Sequence, residues 1–368
     1  MSGAGMMGTD IVIVGAGMAG ASLAARIAPH ANVTLIEAED QPGFHATGRS
    51  AAFWEETYGG PGVQPLTAAS GAYLRDHGFL HQRGALTIAR EEDRGKVQAF
   101  IGQFAALGTP MELVERDAMA RLVPGLRNEW RCAAWGERCA DIDVGGLHAH
   151  FLAIVRRAGA DIRVRARLAD ARRADGRWAL TLEDGAHIAC DILVNAAGAW
   201  ADEVARIAGA RPLGIAPLRR TVAQLRTDPP APATLPLVLD INEAFYFKPE
   251  SGRVWLSPHD ETPSPPCDAA PEEFDVAVAI DRMEHVVDWK VEAVERKWAG
   301  LRSFAPDRLP VYGFDTRREG FFWCAGQGGF GIQTAPAGSA LAASLVLGRD
   351  VAGAEGIDRG PYSPARFA

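Results

Sequence analysis

The sequence predicts an α/β fold led by a Rossmann-like βαβ unit. Three observations carry this. Residues 11–14 form a short, apolar, largely β-branched run that reads as a buried parallel strand. Gly15-Ala16-Gly17-Met18-Ala19-Gly20 follows at once and matches G-x-G-x-x-G. Residues 21–28 favour helix until Pro29 stops it, and a second β run, 33–36, ends on the acid Glu37.

Each part has a physical task. Gly15 allows the tight turn off the strand, Gly17 lets a pyrophosphate approach the backbone, and Gly20 lets the helix pack hard on the strand. The helix N-terminus offers free N–H groups and the positive end of its dipole to phosphates. Glu37, seventeen residues past Gly20, can accept both ribose hydroxyls, and an acid there disfavours a 2′-phosphate. Strand, helix, second strand and acid at this spacing specify dinucleotide binding far better than the glycines alone.

The 368 residues suffice for two domains of ordinary size. Charged residues at 23% and hydrophobic ones at 48% are ordinary for a soluble globular protein. A net charge of −8 without a basic block argues against a nucleic-acid partner. The arginines in 163–177 alternate with apolar residues, as on a solvated strand face. Five cysteines without C-x-x-C spacing suggest neither zinc nor a disulfide framework, so reduced thiols and a cytoplasmic location are expected. Loose membrane association is compatible with this, but no apolar run is long enough for an integral membrane segment. Residues 1–8 lack a positive n-region and read as a disordered tail.

Beyond Glu37, residues 41–52 are small and polar and read as a loop whose Thr47, Arg49, Ser50 and backbone amides could wrap an anionic cofactor. Ser50 could also cap a helix over 51–56. Helices are expected after 61 up to 74, over 96–107 with Val97, Phe100, Ile101, Phe104 and Leu107 on one face, over 117–122, and over 144–158. Strands are expected at 83–89, 161–168, 178–182 (after a turn at Asp175-Gly176) and 191–195, with a helix over 200–208. Two Pro-rich loops, 228–236 and 262–271, flank a sheet region at 237–247. A helix over 272–288, a strand over 291–304 and a buried strand at 321–324 follow. A glycine-rich turn at 326–331 then leads into an apolar helix over 334–347.

The chain resembles the D-amino acid oxidase superfamily of flavoproteins, and most closely its D-arginine dehydrogenase-like members. Four further stretches carry the likeness: Asn195-Ala196-Ala197-Gly198-Ala199-Trp200; Glu243-Ala244-Phe245-Tyr246-Phe247-Lys248-Pro249; Trp298-Ala299-Gly300-Leu301-Arg302-Ser303-Phe304; and Gly326-Gln327-Gly328-Gly329-Phe330-Gly331-Ile332-Gln333-Thr334. With the N-terminal motifs they span nearly the whole chain in the family's order.

The resemblance implies an α/β fold with a Rossmann-like FAD-binding domain, assembled from residues 1–80, 141–215 and 301–368. A substrate domain with a mainly antiparallel sheet would comprise residues 81–140 and 216–300. It implies FAD contacts at Gly15, Gly17, Met18, Ala19, Gly20, Glu37 and Ala38, then at Thr47, Gly48, Arg49, Ser50, Ala51 and Ala52. It adds backbone near Leu168 at the adenine, then Ala197, Gly198, Trp200 and Arg302, and the turn residues Gly328, Gly329, Phe330, Gly331, Ile332 and Gln333. Noncovalent FAD is expected, because residues 298–307 hold no cysteine, where covalent sarcosine-oxidase-type relatives carry one.

A bound flavin would supply the electron-accepting chemistry, leaving the protein to position the substrate. An amino acid needs a buried cation for its carboxylate, ideally an arginine fork, and an acceptor for its amine. The resemblance gives Arg220 and Arg302 the carboxylate, Tyr246 an assisting role, Tyr58 the entrance, and the Gly329 carbonyl the amine or imine. Arg302 stands in an otherwise apolar stretch, where a buried arginine needs an anion. Preferring Arg220 to Arg219 rests on the resemblance. The nine histidines are scattered, and His148 and His150 at i, i+2 do not share a helix face, so no metal site is expected.

Two departures from the D-arginine enzymes shift the expected substrate. Ala85 stands where an acid contacts the guanidinium, and Phe53 where they carry a histidine. Losing such an acid removes several kcal/mol of discrimination for a cationic side chain, on the order of a broken buried pair. Glu55 or Glu56 could restore negative charge. The expected function is oxidation of a D-amino acid with a neutral or apolar side chain to the imino acid, then to 2-keto acid and ammonia. Electrons would pass to a quinone or another carrier. The alternative is a glycine- or sarcosine-type amine oxidase using oxygen. A 2-hydroxy acid dehydrogenase and a non-catalytic flavoprotein stand behind these.

Overall fold

The computed structural model describes residues 10–368. The expected tail at 1–8 lies outside the described residues. A six-stranded sheet forms the first layer, in the order Val311–Phe314, Phe321–Ala325, Ile192–Asn195, Asp10–Val14, Asn32–Ile36, Asp161–Arg163. Its pairings are parallel except that of Val311–Phe314 with Phe321–Ala325. Alternate side chains of the first strand feed opposite faces. Ile11 and Ile13 pack with the helices Met18–Ile27, Val144–Arg157 and Ala335–Leu347. Val12 and Val14 pack with Trp178, Leu180 and the helix Ala201–Ile207. Burial on both faces is why these strands read as continuous apolar runs.

The second large sheet has ten strands and is mostly antiparallel. Its two longest members, Ala216–Asp228 and Lys290–Phe304, pair over nearly their whole length. Arg253–Ser257, Tyr246–Glu250, Leu237–Asp240, Ala85–Arg90, Trp130–Gly136 and Glu112–Glu115 extend it outward. Leu237–Asp240 joins Ala85–Arg90 in parallel. The helices Arg116–Leu122 and Glu273–Glu284 cover its outer face through Met119, Val276, Ala279 and Met283. With its parallel and antiparallel sheets and their covering helices, the fold is of the expected α/β class.

Three local expectations are corrected. No helix forms at 51–56; Phe53–Trp54 is a strand paired with Ala140 and Asp141. Trp54 is buried over Gly71 and donates its indole N–H to the Thr67 carbonyl, so packing overrides the capping signal of Ser50. The expected strand at 161–168 is broken by Arg165, whose φ is +54°. Asp161–Arg163 stays in the parallel sheet, and Leu168–Ala174 begins a separate three-stranded antiparallel one. The sheet region at 237–247 is likewise two strands, separated by a turn at Glu243 with φ +58°.

Gly20 does what its position implies. A Cβ there would lie 1.9 Å from the Gly15 carbonyl oxygen, which is backbone and cannot swing aside. Gly17 is different, since its Cβ would meet the Thr47 hydroxyl at 3.3 Å. Gly20→Ala should therefore cost about 3 kcal/mol of stability, and Gly17→Ala less than about 1 kcal/mol. Denaturant titration of the two apoproteins checks the ranking.

Candidate active site

A cavity of about 650 Å³ runs from Glu37, past the glycine turn, to Arg302. The first βαβ unit lines it with Gly15, Gly17, Met18, Ala19, Glu37 and Ala38, and the following loop adds Thr47, Arg49, Ser50 and Ala51. Leu168, Ala197, Gly198 and Trp200 form another wall. Arg220, Tyr246, Arg302, Gly328, Gly329, Gly331 and Ile332 close the far end.

The glycine turn is fastened by side chains. Glu37 accepts N–H bonds from Ala16 at 2.8 Å and from Glu39 at 3.0 Å, one on each carboxylate oxygen, so each oxygen keeps a lone pair for a ligand. Met18 N–H donates to Thr47 Oγ1 at 2.9 Å. The amide of Met18, at the helix N-terminus expected to offer free N–H groups, thus already has a protein partner. His148 bonds through Nε2 to the Ala16 carbonyl at 2.9 Å, and burial lowers its pKa. The His45 ring, 4.6 Å from Trp200, has a buried Nδ1 without a partner among the described residues.

Several expected cofactor residues do not line this cavity. Gly20 is packed on the turn, and the Gly48 N–H closes a loop onto the Gly43 carbonyl at 2.8 Å. The Ala52 carbonyl accepts from Ile142 N–H at 3.4 Å, and Phe330 packs its ring against Tyr58 and Phe304. Gln333 is buried; its amide donates to Tyr58 O and Thr67 Oγ1 and accepts from Glu55 N–H. Arg49 lines the cavity, but its guanidinium is spent on Asp268 and on the Ala269 and Ala299 carbonyls. That latch carries Cys267 and Ala269, read from sequence as plain loop, to the cavity wall.

The far end is built on the two long strands. Arg220 pairs with Gly300, and Gly300 and Arg302 are two residues apart, so both arginines stand on one face as diagonal neighbours. Arg219 is on the other face, bound to Glu272 and Asp275. Arg220 is 4% exposed; Nε donates to the Asp260 carbonyl at 2.7 Å and Nη2 reaches Glu261 at 3.4 Å. Its Nη1 is buried with no partner among the described residues. Burial and the Arg302 charge both lower the Arg220 pKa. Gly329 has to be small, because a Cβ there would lie 2.6 Å from the Arg302 guanidinium carbon.

Tyr58 lies outside the cavity lining but against it, with the Arg302 guanidinium 5.6 Å from its ring centroid. Phe53, Ala85, Cys139, Leu237 and Tyr246 form one buried apolar cluster beside it. Neither Glu55 nor Glu56 lines the cavity. Glu55 accepts from Thr57 N and Oγ1, and burial pushes its carboxyl up; Glu56 pairs with Arg138. Among the described residues no cluster of His, Cys, Asp or Glu could hold a metal ion.

His259 went unnoticed in the sequence. Nδ1 bonds to the Glu243 carbonyl at 2.7 Å, and Nε2 meets the Tyr58 hydroxyl at 3.3 Å. Burial, then the charges of Arg220 and Arg302, push its pKa down to about 2. An unfolded imidazole takes up a proton below about pH 6.5, whereas this one does not until about pH 2. The unfolded state therefore binds more protons in that window, and stability falls as pH drops through it. His259 should cost about 2 kcal/mol at pH 5 relative to pH 8. His259→Asn should lose about that much less on acidification, measured by denaturant midpoints of both proteins at the two pH values.

An elongated cavity with an acid whose two oxygens each keep a lone pair, a glycine turn and a small-residue far wall fits FAD. Comparison with known proteins agrees. The chain is 25% identical over 314 residues to the hydrogen cyanide synthase subunit HcnC of Pseudomonas aeruginosa, covering 80% of this chain and 70% of that one. The glycine oxidase of Geobacillus kaustophilus superposes with a TM-score of 0.83 at 22% identity, over 96% of this chain and 98% of that one. The L-proline dehydrogenase of P. horikoshii gives 0.84 at 22% identity, over 98% of each. The family of FAD-dependent oxidoreductases described as DAO matches residues 10–345, and the chain belongs to it.

Proposed function

We propose that this enzyme oxidises a D-amino acid with a neutral or apolar side chain to the imino acid, which water converts to the 2-keto acid and ammonia. The observation that carries this is the pair Arg220 and Arg302 at the far end of the cavity, with Arg220 Nη1 buried and without a partner among the described residues. A buried and a half-buried cation on one strand face, with Asp260 and Glu261 on the Arg220 side alone, favour a further anion between them, and a carboxylate supplies two oxygens to a guanidinium fork. Tyr246 would share that carboxylate, and the Gly329 carbonyl would take the amine.

FAD, when bound, would supply the hydride-accepting chemistry. The glycine turn would hold its pyrophosphate and Glu37 its ribose. Arg302 and Arg220 fix the carboxylate so that the Cα–H bond has one orientation. No side-chain base is required when the amine binds neutral. Of the apolar cluster around Phe53 and Ala85, Tyr246 lines the cavity; the cluster would back the substrate side chain through Tyr246, and its apolar surface would disfavour a cationic one. In this reading residues 1–80, 141–215 and 301–368 bind FAD noncovalently, 81–140 and 216–300 hold the substrate, and a quinone or another carrier reoxidises the flavin.

A second reading is oxidation of glycine, sarcosine or another secondary amine with oxygen. The aromatic crowding of Phe53 against Tyr58 at 4.9 Å and Tyr246 at 5.8 Å favours it, because it suits a small substrate. Similarity to glycine oxidases points the same way.

Anaerobic mixing with a panel of D- and L-amino acids, glycine, sarcosine and 2-hydroxy acids separates these readings. Flavin absorbance should bleach fastest with D-Leu, D-Met or D-Phe. Faster bleaching by sarcosine or glycine selects the second reading, and D-Arg far ahead of the apolar substrates contradicts the first. With the best substrate, Arg302→Met should lower kcat/KM about a hundredfold, the effect of leaving a buried carboxylate half-paired. Arg302→Lys should recover part of it.

A further inference from the structure

His259 and Glu243 are two left-handed residues bonded to each other, with φ of +57° and +58°. Such backbone persists only where its surroundings over-determine it, and it gathers at functional sites. Here the surroundings are specific. Arg282 donates to the Ala244 and Pro258 carbonyls, clamping the residues next to both. His259 N–H donates to Ser257 Oγ at 3.2 Å. With its backbone held and Nδ1–H committed to the Glu243 carbonyl, the ring presents Nε2 as an acceptor. What it meets is the Tyr58 hydroxyl. It also abuts the Tyr246 ring edge to face, with centroids 5.8 Å apart.

We propose that His259 is a positioning residue for carboxylate recognition: it accepts a hydrogen bond from the Tyr58 hydroxyl, which turns the phenol oxygen's lone pairs toward Arg302 and holds that guanidinium in place beside Arg220. This rests on the carboxylate reading of the site. It assigns Tyr58 a role beyond guarding the entrance. With its hydroxyl hydrogen directed at His259, the phenol keeps its lone pairs for Arg302, whose guanidinium carbon lies 5.6 Å from the Tyr58 ring centroid. Burial, then the positive charges of Arg220, Arg302 and Arg308, keep the imidazole neutral and therefore accepting. A protonated ring would donate to Tyr58 and reverse the bond.

Asparagine separates this role from a merely structural one. It tolerates left-handed backbone, and its Nδ2 can keep the bond to the Glu243 carbonyl, but it has no counterpart of Nε2. The experiment titrates the FAD-loaded protein with benzoate at pH 8, read from the flavin absorbance. His259→Asn and Tyr58→Phe should each raise the benzoate Kd about tenfold, and the double variant should be no weaker than either alone, because both remove the same bond. Effects that multiply in the double variant, or His259→Asn binding benzoate like the parent, would overturn the proposal. Should His259→Asn fail to fold, Tyr58→Phe with an unchanged Kd overturns it equally. A parent protein that binds no benzoate at all fails the carboxylate reading itself, a result distinct from these.

Discussion

The like-charge contact between Arg220 and Arg302 is the constraint around which this structure is arranged. At the roughly 7 Å typical of diagonal cross-strand neighbours, two unit charges repel by on the order of 2 kcal/mol at an effective dielectric of about 20, and burial adds a desolvation cost at Arg220. The chain offsets part of this with the Asp260 carbonyl, the Glu261 carboxylate and the Tyr58 ring, and it leaves Arg220 Nη1 without a partner. A site held in this state is complementary to an anion before one arrives. Preorganisation of that kind is what a hydride-transfer enzyme requires of its protein part, because the flavin contributes the redox chemistry.

The two sheets exist in the proportions this contact needs. Long antiparallel strands give a fixed register, so Arg220 and Arg302 share a face by geometry, with no dependence on a flexible loop. The opposite face sends Arg219 to Glu272, just before the covering helix, and to Asp275 in its first turn, which keeps two adjacent arginines from competing for one site. Lys290–Phe304 ends beside Gln327–Gly328, so Arg302 and the glycine-rich turn belong to one continuous sheet.

Much of the fold was legible in the sequence, because local signals and tertiary demands coincide there. Gly15, Gly17, Gly20 and Glu37 are specified by backbone approach and by one acid, and both leave a readable spacing. Arg302 was legible as a cation in an apolar run. Other features were hidden for physical reasons. Ala216–Asp228 places Arg219, Arg220 and Thr221 in succession, which obscures the two-residue period because both faces of the strand carry polar partners. Phe53–Trp54 is a strand only because Ala140 and Asp141 pair with it. His259 acquires its meaning from Tyr58, 201 residues away, and from a backbone twist that no motif announces. The choice of Arg220 over Arg219 needed the register of Gly300.

The most direct measurement is the thermal melting of the FAD-loaded parent and of Arg302→Met, each with and without saturating acetate. If the two guanidiniums form a frustrated pair awaiting a carboxylate, acetate should raise the parent's melting temperature by a few degrees. Arg302→Met, relieved of the repulsion, should melt at or above the anion-free parent and be insensitive to acetate. A parent indifferent to acetate, together with an Arg302→Met protein that melts well below it, would mean that Arg302 is a structural cation and that the site is not built around a carboxylate.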